Sequence, residues 1–192
     1  MLLQPSLKEW SIAVDALTQG QTVLLLRKGG IREIAGRFEV PHQTVWLYPT
    51  YEHQKPHLLK PQWAEQVTAV APGWHPTQVM IRAWAKIVHV WTVRSQGAME
   101  AVLPFHIWNE RFATERFRWK PSQPLHLLIL RTYRLATPIA IDWQPSYGGC
   151  RSWLTLEKSL DTAKSHAVLE QQSFDQVVQQ IQQQIGRVEA PS

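Results

Sequence analysis

QVMIRAWAKIVHVWTVR, residues Gln78–Arg94, decides the fold class. Val79, Ile81, Ala83, Ala85 and Ile87 alternate with Arg82, Trp84 and Lys86, and a period of two is that of a strand with one face against a core. The run predicts one bent strand or two joined ones. A strand needs neighbours, and working outward supplies them. Upstream, Gln21–Lys28 holds the continuous Val23, Leu24, Leu25, Leu26 run of a strand covered on both faces, followed by a turn at Gly29 and Gly30. Shorter strands are expected at Arg37–Val40 and Val45–Tyr48, and three prolines from Pro49 to Pro61 mark an irregular loop. Downstream, Leu125–Leu135 and Arg151–Leu156 read as strands joined by a passage containing Pro138, Pro145, Gly148 and Gly149.

Three helices complete the pattern. Ser6 with Glu9 makes a capping box, and Leu7, Trp10, Val14 and Leu17 follow on one face until Gly20 ends the helix. Pro104 opens a second, with Phe105, Trp108 and Phe112 as its stripe and Arg111 one turn before Glu115. Ser173 with Gln176 caps a third, whose face carries Phe174, Val177, Val178, Ile181 and Ile185 and whose outer side is largely glutamine. The expectation is a single α+β domain. Its mixed, mostly antiparallel sheet or partly open barrel is flanked by an N-terminal, a middle and a C-terminal helix. Residues 1–160 form the α+β body and 161–192 a C-terminal helical extension packed on the same domain, with Asp161–Gln172 as the nearest thing to a hinge.

At 192 residues a chain buries roughly 70% of its unfolded surface and needs no staples. The one cysteine, Cys150, cannot form an internal disulfide, so a cytoplasmic location is expected. MLLQPSLKEW lacks the basic and apolar regions of a secretory signal, and no apolar stretch approaches the roughly 20 residues that cross a bilayer. No membrane association is expected.

The formal charge is +5, with the steepest local excess between Arg111 and Arg134, where six basic residues face only Glu115. That is a candidate anion-binding region. Ten tryptophans supply core mass or stacking surfaces.

Four constellations carry candidate chemistry. In LLLRKGGIRE, Arg27, Lys28 and Arg32 flank a glycine turn whose backbone N–H groups can cradle an anion, or which is a solvated hairpin turn. In PTYEHQ, Tyr51, Glu52 and His53, with Lys60 beyond, are the residue types of general acid/base work, or a hydrogen-bonded network that fastens the loop. Glu52, His53 and Lys60 are the weak catalytic candidates. Arg82, Trp84, Lys86, Trp108, Arg111, Arg116, Arg118, Trp119 and Lys120 mix flat rings with cations, as a polynucleotide surface requires, or form a solvated edge beside core rings. In YGGCRSW, Cys150 neighbours Arg151; the thiol is either activated or a small apolar filler, and Arg151 is the better binding candidate. His42, His53 and His57 lack familiar ligand spacing, so neither metal nor cofactor is expected. GxSxG, HExxH and the phosphate-loop frame are missing.

Through LKEW, VLLLRKGGIRE, GRFEV, LYPTYEHQ, LLKP, RAWAKIV, HIWNERF and YGGCRSW, the chain resembles the domain of unknown function 1802 family from Leu7 to about Leu156. The resemblance brings no activity with it; some members occur with a restriction-endonuclease-type catalytic region, which implies DNA restriction or defence. A fainter analogy links the strand, helix, strand order to PUA-like domains, readers of RNA and modified bases. The leading expectation is a nucleic-acid-binding module, a partner of a separate nuclease, in which Arg27, Lys28, Arg32, Arg116 and Arg118 meet phosphates and Trp84 or Trp119 stacks on a base. Tyr51, Glu52, His53 and Arg151 add polar contacts. Two rivals stand beside it: an enzyme on a small anionic or nucleotide substrate using the Tyr51–His53 loop, and an adaptor pairing through its C-terminal helix. The oligomeric state stays open.

Overall fold

The computed structural model describes residues 1–28, 32–34, 37–119 and 124–189, with the backbone alone at 32–34, 37–39 and 189. In chain order the elements are β1 (Leu2–Trp10), α1 (Ser11–Thr18), β2 (Leu24–Arg27), β3 (Arg32–Ile34), β4 (Arg37–Glu39), β5 (Thr44–Thr50), α2 (Pro61–Ala64), β6 (Gln78–Val93), α3 (Gln96–Ala101), α4 (Glu110–Arg118), β7 (Leu125–Asp142), β8 (Trp153–Asp161), β9 (Ser165–Ala167) and α5 (Gln171–Glu189). Seven strands form one open, mixed sheet in the order β2-β7-β6-β5-β1-β8, with β9 on β7, while β3 and β4 make a separate hairpin. The sheet does not close into a barrel. It is an α+β domain, as the alternation of Gln78–Arg94 predicts.

The hairpin of β6 and β7 is its spine. β6 is one strand of 16 residues, bent where the register shifts between Ile81 and Ala83 and between Ile87 and His89. A shift of one residue exchanges the faces. Val79 and Ile81 therefore pack in a small core with Trp46, Trp84 and Leu154. Ala83, Ala85 and Ile87 face the main core under the helices with Leu7, Leu25 and Ile181. Across β7, β2 pairs with the first third of the strand and β9 with its middle. Leu24, Leu25 and Leu26 of β2 are continuous and all buried, as in a strand covered on both faces.

The N-terminal segment differs from expectation. Residues 2–10 are strand, not the start of a helix, and Ser6 is a buried strand residue. β1 lies between β5, which it pairs in parallel, and β8, which it pairs antiparallel, so two ladders outweigh the local capping signal. The helix begins only at Ser11 and has no side-chain cap from its own N-cap residue. Gln54 does that work from a distance, its Oε1 accepting from Ile12 N and Ser11 Oγ at 3.1 Å each. Gly20, at φ +73, ends the passage after α1 in the left-handed region, with an added Cβ meeting Leu169 Cδ2 at 2.9 Å.

Three other expectations shift. Pro104 lies inside a short 3-10 turn, Leu103–Phe105, and α4 starts instead at Glu110, where Asn109 Oδ1 accepts from Phe112 N at 3.1 Å. α5 begins at Gln171, ahead of Ser173. The hinge-like passage 161–172 contains β9, where the Ser165 hydroxyl accepts from Trp84 Nε1 at 2.9 Å. Among the described residues, no helix is long and apolar enough to cross a membrane.

Candidate functional site

The parallel pairing of β1 with β5 puts the carboxyl ends of both strands at one edge of the sheet. The strands stop at Trp10 and Thr50, and a cleft of about 760 Å³ opens beyond them. Its walls come from five places: Lys8, Glu9 and Trp10 from β1, Arg27 and Lys28 from the end of β2, Glu52, His53 and Lys55 from the loop after β5, Phe112, Glu115, Arg116 and Trp119 from α4 and its end, and Gly149, Cys150, Arg151 and Ser152 before β8. Six cations thus face three carboxylates.

Each wall is fastened locally. The 147–149 turn is tied to β1 by Lys8, whose Nζ donates to Tyr147 O at 2.7 Å and Gly149 O at 3.0 Å. Arg27 Nη2 meets Glu9 Oε2 at 2.8 Å with both side chains largely buried, and Arg27 also donates to Ser152 Oγ and to the Lys8 carbonyl. Glu9 Oε1 accepts from the Trp10 N–H at 2.9 Å. Lys28 Nζ donates to Arg116 O and Phe117 O at 3.3 and 2.7 Å, placing a cation at the negative end of α4. The loop carrying Glu52 is held by Gln54 on α1 and by Gly73 N, which donates to Glu52 Oε1 at 3.1 Å. Within it His53 has φ 61, among the described residues the one non-glycine at positive φ, a conformation sparsely populated by side-chain-bearing residues and frequent at binding sites.

Arg116 is the least compensated of these groups. Its guanidinium lies 5.2 Å from the Phe112 ring centre and 5.6 Å from that of Trp119, while Trp10 meets Phe112 edge-on at 5.9 Å. Its Nε is buried with no hydrogen-bond partner among the described residues. Burial lowers its pKa, with Glu9 opposing and Arg27 adding to the fall. Glu9 is already paired with Arg27. Burial also lowers the Lys8 pKa, which Glu52 and Cys150 push back up and Arg151 pushes down, and lowers that of Lys28, with Arg116 adding to it. No group of three or more His, Cys, Asp or Glu among the described residues is placed to hold a metal ion.

Of the candidates read from sequence, the structure brings Arg27, Lys28, Glu52, His53, Arg116, Trp119 and Arg151 to this cleft. It does not bring the other described candidates there. Trp84 is core, stacked on Tyr133 at 4.1 Å. Tyr51 meets Trp74 at 5.8 Å and is not in the cleft wall. Lys60 lines a separate pocket beside Trp108 and donates to Leu103 O at 2.7 Å. Arg118 is exposed outside the cleft. The Arg32 side chain, the Gly29–Gly30 turn and Lys120 lie outside the described residues. Lys8, Glu9 and Trp10 enter the site only because residues 2–10 are strand, which the capping signal at Ser6 and Glu9 conceals.

The fold and cleft define an α+β protein with a cationic and aromatic site at one sheet edge. Residues 6–180 match the family described as Domain of unknown function (DUF1802), and the chain belongs to that family. No curated protein matches it. Two solved structures are similar, both of ZmASCH from Zymomonas mobilis, one a serine-to-alanine and the other a tyrosine-to-phenylalanine mutant protein. They share 12% and 11% identity with the chain, each covers 91% of it, the match spans 94% and 96% of their own chains, and the TM-scores are 0.46 and 0.43.

The nucleic-acid-binding and restriction-partner reading is corrected. Among the described residues, the cations and indoles do not form one continuous groove. Arg27, Arg82 and Arg111 are each matched to a carboxylate, Arg131 is buried beneath Phe174, and Trp84 is inaccessible. The enzyme alternative loses Tyr51 and Lys60 to other surroundings. For the adaptor alternative, the apolar face of α5, with Phe174, Val178 and Ile181, is taken up by this chain's own core and leaves the glutamine side exposed.

Proposed function

We propose that the cleft binds a small anionic molecule with a flat or apolar portion. The observation that carries this reading is Arg116, a half-buried guanidinium between two aromatic rings, without a carboxylate partner among the described residues and with a buried, unbonded Nε. A half-buried cation that only ring faces compensate carries a desolvation cost, and an anion seated beside Arg116 offsets it. Lys55 and Arg151 extend the positive wall, and Trp10 and Trp119 add aromatic surface to it. The volume is that of a small-molecule site. A cytoplasmic setting belongs to the same reading, resting on the single exposed thiol of Cys150.

Calorimetric titration with inorganic pyrophosphate tests it. Charge-assisted hydrogen bonds contribute about 1.5–3 kcal/mol, so Arg116→Met is expected to weaken binding roughly tenfold to a hundredfold. Equal affinity in the variant, or no binding of phosphate, pyrophosphate or citrate by the wild-type chain, overturns the assignment.

A further inference from the structure

We infer that the ligand of this cleft carries an ammonium or another hydrogen-bond donor away from its anionic group, and that Glu52 selects it. This rests on the anion-binding reading and narrows the class of molecule that the same site takes. The charges lining the cleft are not equally committed. Glu9 is paired with Arg27 and Glu115 with Arg111. Lys8 and Lys28 end on backbone carbonyls. What is left over has both signs: Arg116, Lys55 and Arg151 make no ion pair among the described residues, and neither does Glu52. Lys8 feels Glu52 through space without pairing with it. The two signs also stand on different walls, Arg116 on α4 and Glu52 on the loop after β5, so a single ligand that answers both must have two ends.

Glu52 is held with one oxygen open. Its Oε1 accepts from Gly73 N at 3.1 Å in a bond that is itself exposed, and its Oε2 is bonded to nothing among the described residues. The side chain is half-buried, not sealed. Two left-handed backbone positions flank that bond, Gly73 at φ 77 and His53 at φ 61. A left-handed histidine is a conformation that its surroundings must impose. Gln54 helps to impose it, with Nε2 donating to Tyr51 O at 3.5 Å while Oε1 is fastened to α1. Glu52 thus points from a loop fixed on both sides, unlike a carboxylate that swings freely in solvent.

An ionised carboxylate only accepts hydrogen bonds. Set among six cations, it does two things to an entering anion: it repels a second negative group, and it rewards an N–H or O–H that reaches Oε2. An ammonium is the best complement, since it supplies both the donor and the opposite charge.

The test is calorimetric titration with O-phosphoethanolamine and its homologues one and two carbons longer, each beside the alkyl phosphate in which a methyl group stands for the ammonium. At least one amino phosphate is expected to bind about tenfold tighter than its alkyl twin. Glu52→Gln, which keeps an oxygen for Gly73 N, is expected to erase that preference while alkyl phosphates and pyrophosphate bind as well or better. A loosened loop would instead weaken every ligand together. Twins that bind alike in the wild-type chain, or a preference that survives Glu52→Gln, overturn the selection by Glu52 and leave the anion site standing. Absence of binding by every phosphate and by pyrophosphate overturns the anion site and the selection with it.

Discussion

Replacing Glu9 by Gln should make the protein less stable and a better anion binder at once. In the native chain the two Glu9 oxygens have different duties, Oε1 accepting from the Trp10 N–H and Oε2 meeting Arg27 Nη2 at 2.8 Å. Gln has one oxygen and one NH2. Whichever contact keeps the oxygen, the other becomes donor against donor. Arg27 retains the Ser152 hydroxyl and the Lys8 carbonyl, so the guanidinium is weakened and not orphaned. Loss of one charge-assisted contact plus an unsatisfied donor gives a cost of about 2–4 kcal/mol. For a chain of this size each kcal/mol lowers Tm by roughly 2–4 °C, which puts the expected fall at about 4–16 °C. The same substitution removes one of the three carboxylates facing the six cations. A unit charge nearby in a partly wet cleft is worth about 1 kcal/mol, a roughly fivefold gain in pyrophosphate affinity. Differential scanning calorimetry and titration calorimetry on the same preparation read both effects. An unchanged Tm, or an affinity that falls along with stability, refutes the reasoning.

Two further outcomes follow from other parts of the molecule. His106 is 3% exposed, and burial, helped by Lys60, lowers its pKa to about 3. The unfolded chain therefore takes up the proton first, so stability is fully present above about pH 6.5 and falls by up to about 1.4 kcal/mol per pH unit as acid is added toward pH 3. Urea titrations at pH 7 and 5 should show this slope and its flattening in His106→Phe; equal slopes reject it. Asn109→Ala removes the α4 cap and the two bonds to His57 O and Leu59 O, which should cost about 1–2 kcal/mol in the same assay and shift the Arg116 wall. Pyrophosphate affinity unaltered by that variant would separate the cap from the site.

How much could be read beforehand follows from where each element gets its stability. β6 and α5 carry their own periodicity, and both stand close to where residues 78–94 and 173–186 place them. β1 does not, because the alternative it rejects, a capped helix, is locally sound and is overruled only by β5 and β8, separated from it by more than 30 and 140 residues of chain. β9 is three residues long and owes its place to its pairing with β7 and to the Trp84 bond at Ser165. The site repeats the lesson. Arg27, Glu52 and Arg151 stand out through unusual local company, whereas Lys8 and Glu9 acquire meaning only when the strand form turns them to the sheet edge. Trp84 misleads for the opposite reason, since the register shift after Ile81 moves it to a covered face that simple alternation does not show.

The placement of β1 in the interior of the sheet also governs when the molecule becomes competent. Lys8 is synthesised 141 residues before its partner Gly149, and the β8 ladder beside β1 comes later still. β1 must therefore wait in an unfinished fold. The cleft is consequently a property of chains that carry both segments.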